Sequence, residues 1–229
     1  MLIDSPRLTA ADRAHWVKME ARDRIGAHQI ASQETKALSH IEAFLADGDA
    51  AVATSWGKDS VVVAHLAWRV NPAIRLWHWT CARSHDSAPN PDVPAVRDAF
   101  LDLCPMPYVE YDGEHGVSDQ LGRINRDHEP RNIHGVRSAE SRQRVMSAMV
   151  HGVATERMCR PILYWRAPTV FAYLRKYDLP VHPAYAMTAG GLLERGRLRV
   201  HSIGDDRGSG VGRREWEERY YLDVLNGIG

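Results

Sequence analysis

Cysteine is scarce in this chain: three in 229 residues, Cys81, Cys104 and Cys159. They are odd in number, far apart and never in a C-x-x-C pair. That spacing argues against a disulfide framework and against a four-thiolate metal site, and leaves buried or half-buried thiols as the expectation. Long apolar runs are missing too. The best candidate, Val61 to Val70, is broken by His65 and Arg69 and falls short of the ~20 residues that a membrane helix needs. The first ten residues carry Asp4, Pro6 and Arg7 where a signal peptide would have an apolar core, so the expected location is the cytoplasm and no membrane partner is expected. Neither charge is in excess, with 29 Lys and Arg against 29 Asp and Glu. Whole-surface attraction to nucleic acid is therefore not indicated. Repeats and low-complexity segments are also absent.

What is present is an apolar content of 44%, enough for one sizeable core. Residues 8 to 46 read as two helices, the first capped by Thr9 with Asp12 three residues on, the second carrying the stripe Ile30, Leu38, Ile41, Phe44 and Leu45. Ala50 to Thr54 reads as a buried strand, Val61 to Trp68 as a helix, Ile74 to Thr80 as a strand, Val93 to Cys104 as a helix and Pro107 to Tyr111 as a strand. Asn132 to Val136 and Cys159 to Leu163 are further strand candidates, with helices over Ser138 to Met149 and Pro168 to Tyr177. Strands alternating with helix-length crossovers predict an α/β fold: a doubly wound, mainly parallel five-stranded sheet with helices on both faces. The expected division is an N-terminal helical segment (1–46), a nucleotide-binding α/β domain (47–189) and a C-terminal Gly/Arg-rich flap plus helix (190–229). The last helix, Arg213 to Leu225, carries Trp216, Tyr220, Leu222 and Leu225 on one side.

Between the first strand and its helix lies Ser55-Trp56-Gly57-Lys58-Asp59-Ser60. A Gly-containing loop that feeds a helix makes an anion site, because the first-turn N–H groups and the helix dipole both favour negative charge. Gly57 lets the backbone approach a phosphate, Ser55 and Ser60 offer hydroxyls, and Lys58 brings a mobile charge. Asp59 repels phosphate unless it orders the loop or holds Mg²⁺. Trp56 is expected either to pack outward or to cover the ligand. A Walker A loop is ruled out, since Val52 stands where its first Gly would be and Asp59 where its Ser or Thr would be; a G-x-G-x-x-G fingerprint is also lacking. A tight turn without a ligand fits the same residues.

Three segments together carry a resemblance. Ser55 to Ser60 looks like the PP-loop of the N-type ATP pyrophosphatase (adenine nucleotide alpha hydrolase-like) superfamily. His134-Gly135-Val136-Arg137-Ser138-Ala139-Glu140-Ser141-Arg142-Gln143-Arg144 is similar to a segment of its phosphoadenosine phosphosulfate (PAPS) reductase family. The runs Arg160 to Trp165, Val170 to Leu174 and Leu179 to Tyr185 resemble that family's later motifs, in the same order. The resemblance covers roughly residues 45 to 190 and implies that Ser55, Trp56, Gly57, Lys58, Asp59, Ser60, Thr80 and Gly135 bind the nucleotide, with Trp79-Thr80 and the backbone at Thr54 beside adenine and ribose. Lys58, Asp59, Arg137 and Arg144 would be catalytic, Asp59 would be the metal ligand, and the cofactors would be ATP or PAPS with Mg²⁺. Residues 123 to 160 independently hold eight arginines against four acids and no lysine, a set suited to bidentate oxyanion contacts; a solvated helix face with a Glu140–Arg144 pair reads the same residues more plainly.

The chain departs from the family where its sulfur chemistry resides. No Cys follows Cys159, so the C-terminal nucleophilic Cys of the reductases is missing, as is their iron–sulfur Cys set; no such cluster is expected. The Asp-Thr-Gly-like turn after the second strand is replaced by Trp79-Thr80-Cys81-Ala82-Arg83. The expectation is therefore a Mg-dependent ATP pyrophosphatase or adenylating enzyme in a nucleotide or nucleic-acid modification pathway, working with a protein partner or as a homo-oligomer. The alternatives are an ATP- or PAPS-sensing module without turnover, and a thiol-dependent sulfonucleotide reductase using Cys159 or a partner's thiol. His134, His182 and His201 are further candidates for the site, and Gly208 to Gly212 for a flap over the phosphates.

Overall fold

A computed structural model describes residues 1–80, 87–112, 124–204 and 212–228. The chain begins with α1 (Ala10–Gly26) and α2 (Ala31–Ala46), then alternates β1 (Ala51–Thr54), α3 (Lys58–Val70), β2 (Arg75–Thr80), α4 (Val93–Leu103) and β3 (Tyr108–Asp112). After these come β4 (Asn132–Ile133), α5 (Arg142–His151), β5 (Met158–Cys159), α6 (Ala167–Lys176), α7 (Arg213–Tyr220) and α8 (Leu222–Leu225). The five strands form one sheet in the order β3-β2-β1-β4-β5. Every pairing is parallel, with Val52 beside Leu76 on one side and Ile133 on the other. This is the expected doubly wound α/β fold. Strand order reverses at β1 and β4, so the crevice beyond their C-terminal ends is a topological switch point.

Strand alternation separates two faces. Val52 and Leu76 point into the main core with Val61, Leu66, Val96 and Phe100 from α3 and α4. Ala51 and Trp77 point the other way, packed around Ile124 with Ala53, Trp79, Val109 and Tyr111. The β4-to-β5 connection runs opposite to β1-to-β2, so a right-handed crossover puts α5 on that second face. The main core also takes Trp16 from α1, Phe171 and Tyr173 from α6, and Trp216 and Tyr220 from α7, so all three sequence segments share it. Among the described residues no helix is long and apolar enough to cross a membrane.

Several boundaries differ from the sequence reading. α3 starts at Lys58 rather than Val61, because Ser60 folds its hydroxyl back to the Gly57 carbonyl (3.0 Å) and completes a first turn. β4 and β5 are two residues long; the backbone leaves the sheet at His134 and turns at Pro161. Ser138 to Glu140 is a 3-10 turn, and α5 begins only after Ser141, which caps it. The last helix breaks at Tyr221, whose side chain turns inward to donate to Asp92 Oδ2 (2.8 Å); Tyr221 is therefore buried, while Leu222, expected inside, is 53% exposed.

Candidate functional site

Because α3 starts early, the connection after β1 is only Ser55, Trp56 and Gly57. Lys58, Asp59 and Ser60 are the first helical turn, whose N–H groups have no partner four residues back. Hydroxyls tie the turn down. Ser60 Oγ accepts from the Ser55 N–H (3.2 Å), and Thr54 Oγ1 accepts from the Trp56 N–H (3.1 Å). Tyr185 Oη accepts from the Lys58 N–H (3.1 Å), and the Lys58 ammonium lies 5.0 Å above the Tyr185 ring.

Trp56 takes neither of the placements expected for it. Its φ is +58°, and its ring is fully buried against His78, Phe100 and Tyr108. A left-handed conformation costs a non-glycine residue roughly 1–2 kcal/mol. Burying an indole of 150–250 Å² at ~25 cal/mol per Å² more than offsets it. Trp56 thus anchors the loop from below, while its neighbours Ser55 and Gly57 line the cleft.

The Asp59 carboxylate is shared by two cations. Lys58 Nζ donates to Oδ2 (2.8 Å), while Arg137 Nε donates to Oδ1 (2.6 Å) and its Nη2 to Oδ2 (3.4 Å). Arg137 is 3% exposed, and its Nη1 reaches the Trp165 carbonyl (3.3 Å). Gly135 makes this meeting feasible. A Cβ there would lie 2.7 Å from the Asp59 carbonyl carbon and 2.8 Å from the Ser60 nitrogen, so only glycine lets the His134-to-Arg137 strand end press against the first turn of α3.

A cleft of about 390 Å³ opens beside these groups, at the switch point. Its floor is Ser55, Gly57, Lys58, Asp59, Ser60 and Gly135; Trp77, His78 and Trp79 of β2 make one wall. Trp79 Nε1 is buried there with no partner among the described residues. Thr80, expected at the ligand, instead donates from Oγ1 to Glu110 Oε1 (2.7 Å) on β3. Arg144 and Arg199 reach the opposite wall with Glu140. Glu140 pairs with Arg144 and lies 3.6 Å from Arg137 Nη2. Burial, and after it the like charges of Arg199 and Arg137, push the Arg144 guanidinium below its usual range. Four cations therefore crowd around two carboxylates, a local field that favours an oxyanion.

The histidines divide. His134 and His201 line the cleft, and burial, then Arg160, pull His134 down to about 4, so it is neutral near pH 7. His78 gives its Nδ1 proton to the Thr54 carbonyl (2.8 Å) and is pulled down by burial. His182 is buried away from the cleft, accepting the Ala184 N–H at Nδ1 (3.1 Å). Gly208 to Val211 and Cys81 lie outside the described residues. Sequence reasoning did not assign Tyr185, Glu140, His78 or Arg199 to the site. Tyr185 and Glu140 stood inside the quoted motifs and could have been taken from them; Arg199 had no signal beyond an Arg-rich stretch.

Two groups bear on cofactors. Both Asp59 oxygens already serve Lys58 and Arg137, and among the described residues no three His, Cys, Asp or Glu side chains gather as metal ligands. Mg²⁺ therefore does not fit at Asp59 as the side chain stands. Cys104 and Cys159 are buried, with burial pushing their thiols up to about 11 and about 12; both are poor sources of thiolate.

No protein-family model matches the chain, and neither does any curated protein sequence.

Proposed function

We propose that the switch-point cleft binds the phosphates of ATP and that the chain is a PP-loop enzyme, related to the PAPS reductases, that cleaves ATP between its α and β phosphates. The observation that carries this reading is the cation cluster of Lys58, Arg137, Arg144 and Arg199 around the first turn of α3, which among the described residues only Asp59 and Glu140 oppose. First-turn N–H groups and guanidinium forks stabilise a phosphate without any general base. The Trp77-to-Trp79 wall supplies apolar surface for a base, and Trp79 Nε1 a donor with no partner among the described residues. An acceptor oxyanion attacks the α-phosphorus, the bond from that phosphorus to the bridging oxygen breaks, and pyrophosphate leaves with the electron pair. Arg199, which has no carboxylate partner among the described residues, would neutralise that leaving charge together with Arg144, which shares Glu140. The cytoplasm, with its ATP, is the compartment this activity requires. Reduction of a sulfonucleotide by Cys159 is disfavoured by the burial of its thiol.

The test is incubation with Mg²⁺ and ATP labelled at the α and γ positions, followed by separation of products. AMP or an AMP adduct together with pyrophosphate is expected. Ser60→Ala removes the hydroxyl that closes the loop and is expected to weaken ATP binding about tenfold, as for loss of a hydrogen-bonded group worth 1–1.5 kcal/mol. ATP binding without AMP formation across varied acceptors would leave the sensing module as the better reading. Unchanged affinity in Ser60→Ala would remove the loop from the site.

A further inference from the structure

A second basin of about 1070 Å³ adjoins the nucleotide cleft, and Lys58, Glu140, Arg199 and His201 line both. It lies over the N-terminal end of α6 and the start of α7. Among the described residues six cations line it (Lys58, Arg137, Arg166, Arg197, Arg199 and Arg213), against Glu140 and Glu194. A chain whose charges balance overall thus places five of its 25 arginines on this one concave surface.

The cations are not equivalent. Arg137 is committed to Asp59, and Arg197 lies 2.9 Å from Glu194. Arg166 and Arg199 are exposed and have no carboxylate partner among the described residues. Arg213 is held from behind. Its Nε donates to Glu217 (2.7 Å) and its Nη1 to the Arg199 carbonyl (3.0 Å), while Nη2 is buried and has no partner among the described residues. A fixed guanidinium with an unused buried N–H, beside two unpaired guanidiniums, asks for a ligand with several acceptor oxygens. The exposed Leu192 and Leu193 add apolar surface on the same wall. The volume exceeds that of the nucleotide cleft and sits at the upper end of small-molecule sites, roughly 300–1,000 Å³.

We infer that this basin binds the acceptor and that the acceptor is a phosphate ester, gripped by Arg166, Arg199 and Arg213. The inference rests on reading the adjoining cleft as the ATP site. Arg199 and Lys58, common to both, bring the two anions together at the point where transfer would take place. The phosphate ester can belong to a free nucleotide or to the backbone of a nucleic-acid strand, and the experiment separates these.

Full-length protein without ATP is titrated into a fluorescein-labelled single-stranded pyrimidine tetranucleotide and followed by anisotropy, with unlabelled uridine monophosphate as competitor. ATP affinity is measured separately on the same preparations. Binding of the strand is expected, and Arg166→Glu is expected to weaken it by about tenfold or more while ATP affinity stays within about twofold, because Arg166 lines only the basin. Circular dichroism checks that the variant is folded, and Arg166→Gln supplies a milder change expected to fall between the two. Competition by the monophosphate assigns the site to a small phosphate ester; a strand bound without competition assigns it to the polymer. Failure of both probes to bind while ATP binds normally would overturn this inference and leave the nucleotide reading standing. Binding that Arg166→Glu leaves unchanged would overturn it too. A strand that binds through Arg166 when ATP does not bind would uphold the basin and sink the ATP reading instead.

Discussion

Arg137 holds three oxygens at once, two on Asp59 and one on the Trp165 backbone, from a side chain that is 3% exposed. Lysine carries the same charge but a single donor head, which cannot span a carboxylate and a carbonyl together. Arg137→Lys is expected to lower unfolding free energy by about 1.5–3 kcal/mol, the range for a hydrogen bond to a charged group. Arg137→Ala is expected to cost more, about 3–5 kcal/mol, because it strips a largely enclosed carboxylate (13% exposed) of its two-pronged partner. Urea midpoints compare the two, and a lysine variant as stable as the parent would refute the fork. Arg137 was readable from sequence through its motif and the local run of arginines. Its partner Asp59 was readable as a loop residue, but their pairing was not, because it spans 78 positions and depends on Gly135 having no side chain. Trp56 was read wrongly for a related reason: the sign of φ that turns its ring inward leaves no local trace in the residue types.

At the scale of elements, α1 shows how a local signal can acquire a distant role. Thr9 and Asp12 form the capping box that their spacing predicts, the Asp12 N–H bonding Thr9 Oγ1 (3.1 Å) and Asp12 accepting in return. The same carboxylate also accepts from the N–H groups of Thr188 (3.1 Å) and Gly190 (3.0 Å) and from the Tyr220 hydroxyl (3.0 Å). Burial alone would raise Asp12, but the bonds from Thr9, Gly190 and Tyr220 outweigh it and hold the carboxyl below its usual range. α1, the 188–191 turn and α7 therefore meet at one side chain. Asp12→Ala strands several buried donors, each worth about 1–3 kcal/mol, and is expected to destabilise the chain by about 3 kcal/mol or more. Hydrogen exchange should reveal the loss first in α7 amides; protection loss confined to α1 would mean that the clamp is only a cap. The short strands β4 and β5 mark the opposite case. Their apolar runs read as five residues each, but hydropathy cannot tell a strand from the buried turn that follows it, and Gly135 and Pro161 end both strands early.

For the whole molecule, neutral histidines, buried (His65, His182) or half-buried on the cleft (His134), set the response to acid. His65 and His134 are pulled down to about 4 and His182 to about 3, in each case first by burial and then by a nearby arginine (Arg69, Arg160 and Arg213). The unfolded chain takes up these protons near 6.5 and the folded chain only near 3–4. Stability is thus fully present above about 6.5 and falls through that window, each histidine contributing up to about 1.4 kcal/mol per pH unit. Asp12 and Glu34, held below their usual values, act in the same direction at lower pH. Urea midpoints should drop steadily from pH 7 to pH 5; a flat profile would mean that these imidazoles are hydrated. The fold class was legible because strand and helix periods alternate cleanly along the chain, whereas the second basin was not, since it is assembled from residues 58 to 216. The tryptophan wall of the cleft has a practical side. Of the seven indoles, Trp79 is half-buried on the wall of the cleft while Trp56 sits sealed in the core, so intrinsic emission carries both a reporter of occupancy and an internal reference. A ligand that stacks on β2 should quench the first signal and leave the second dark to iodide, which gives an unlabelled optical assay for whatever the cleft accepts.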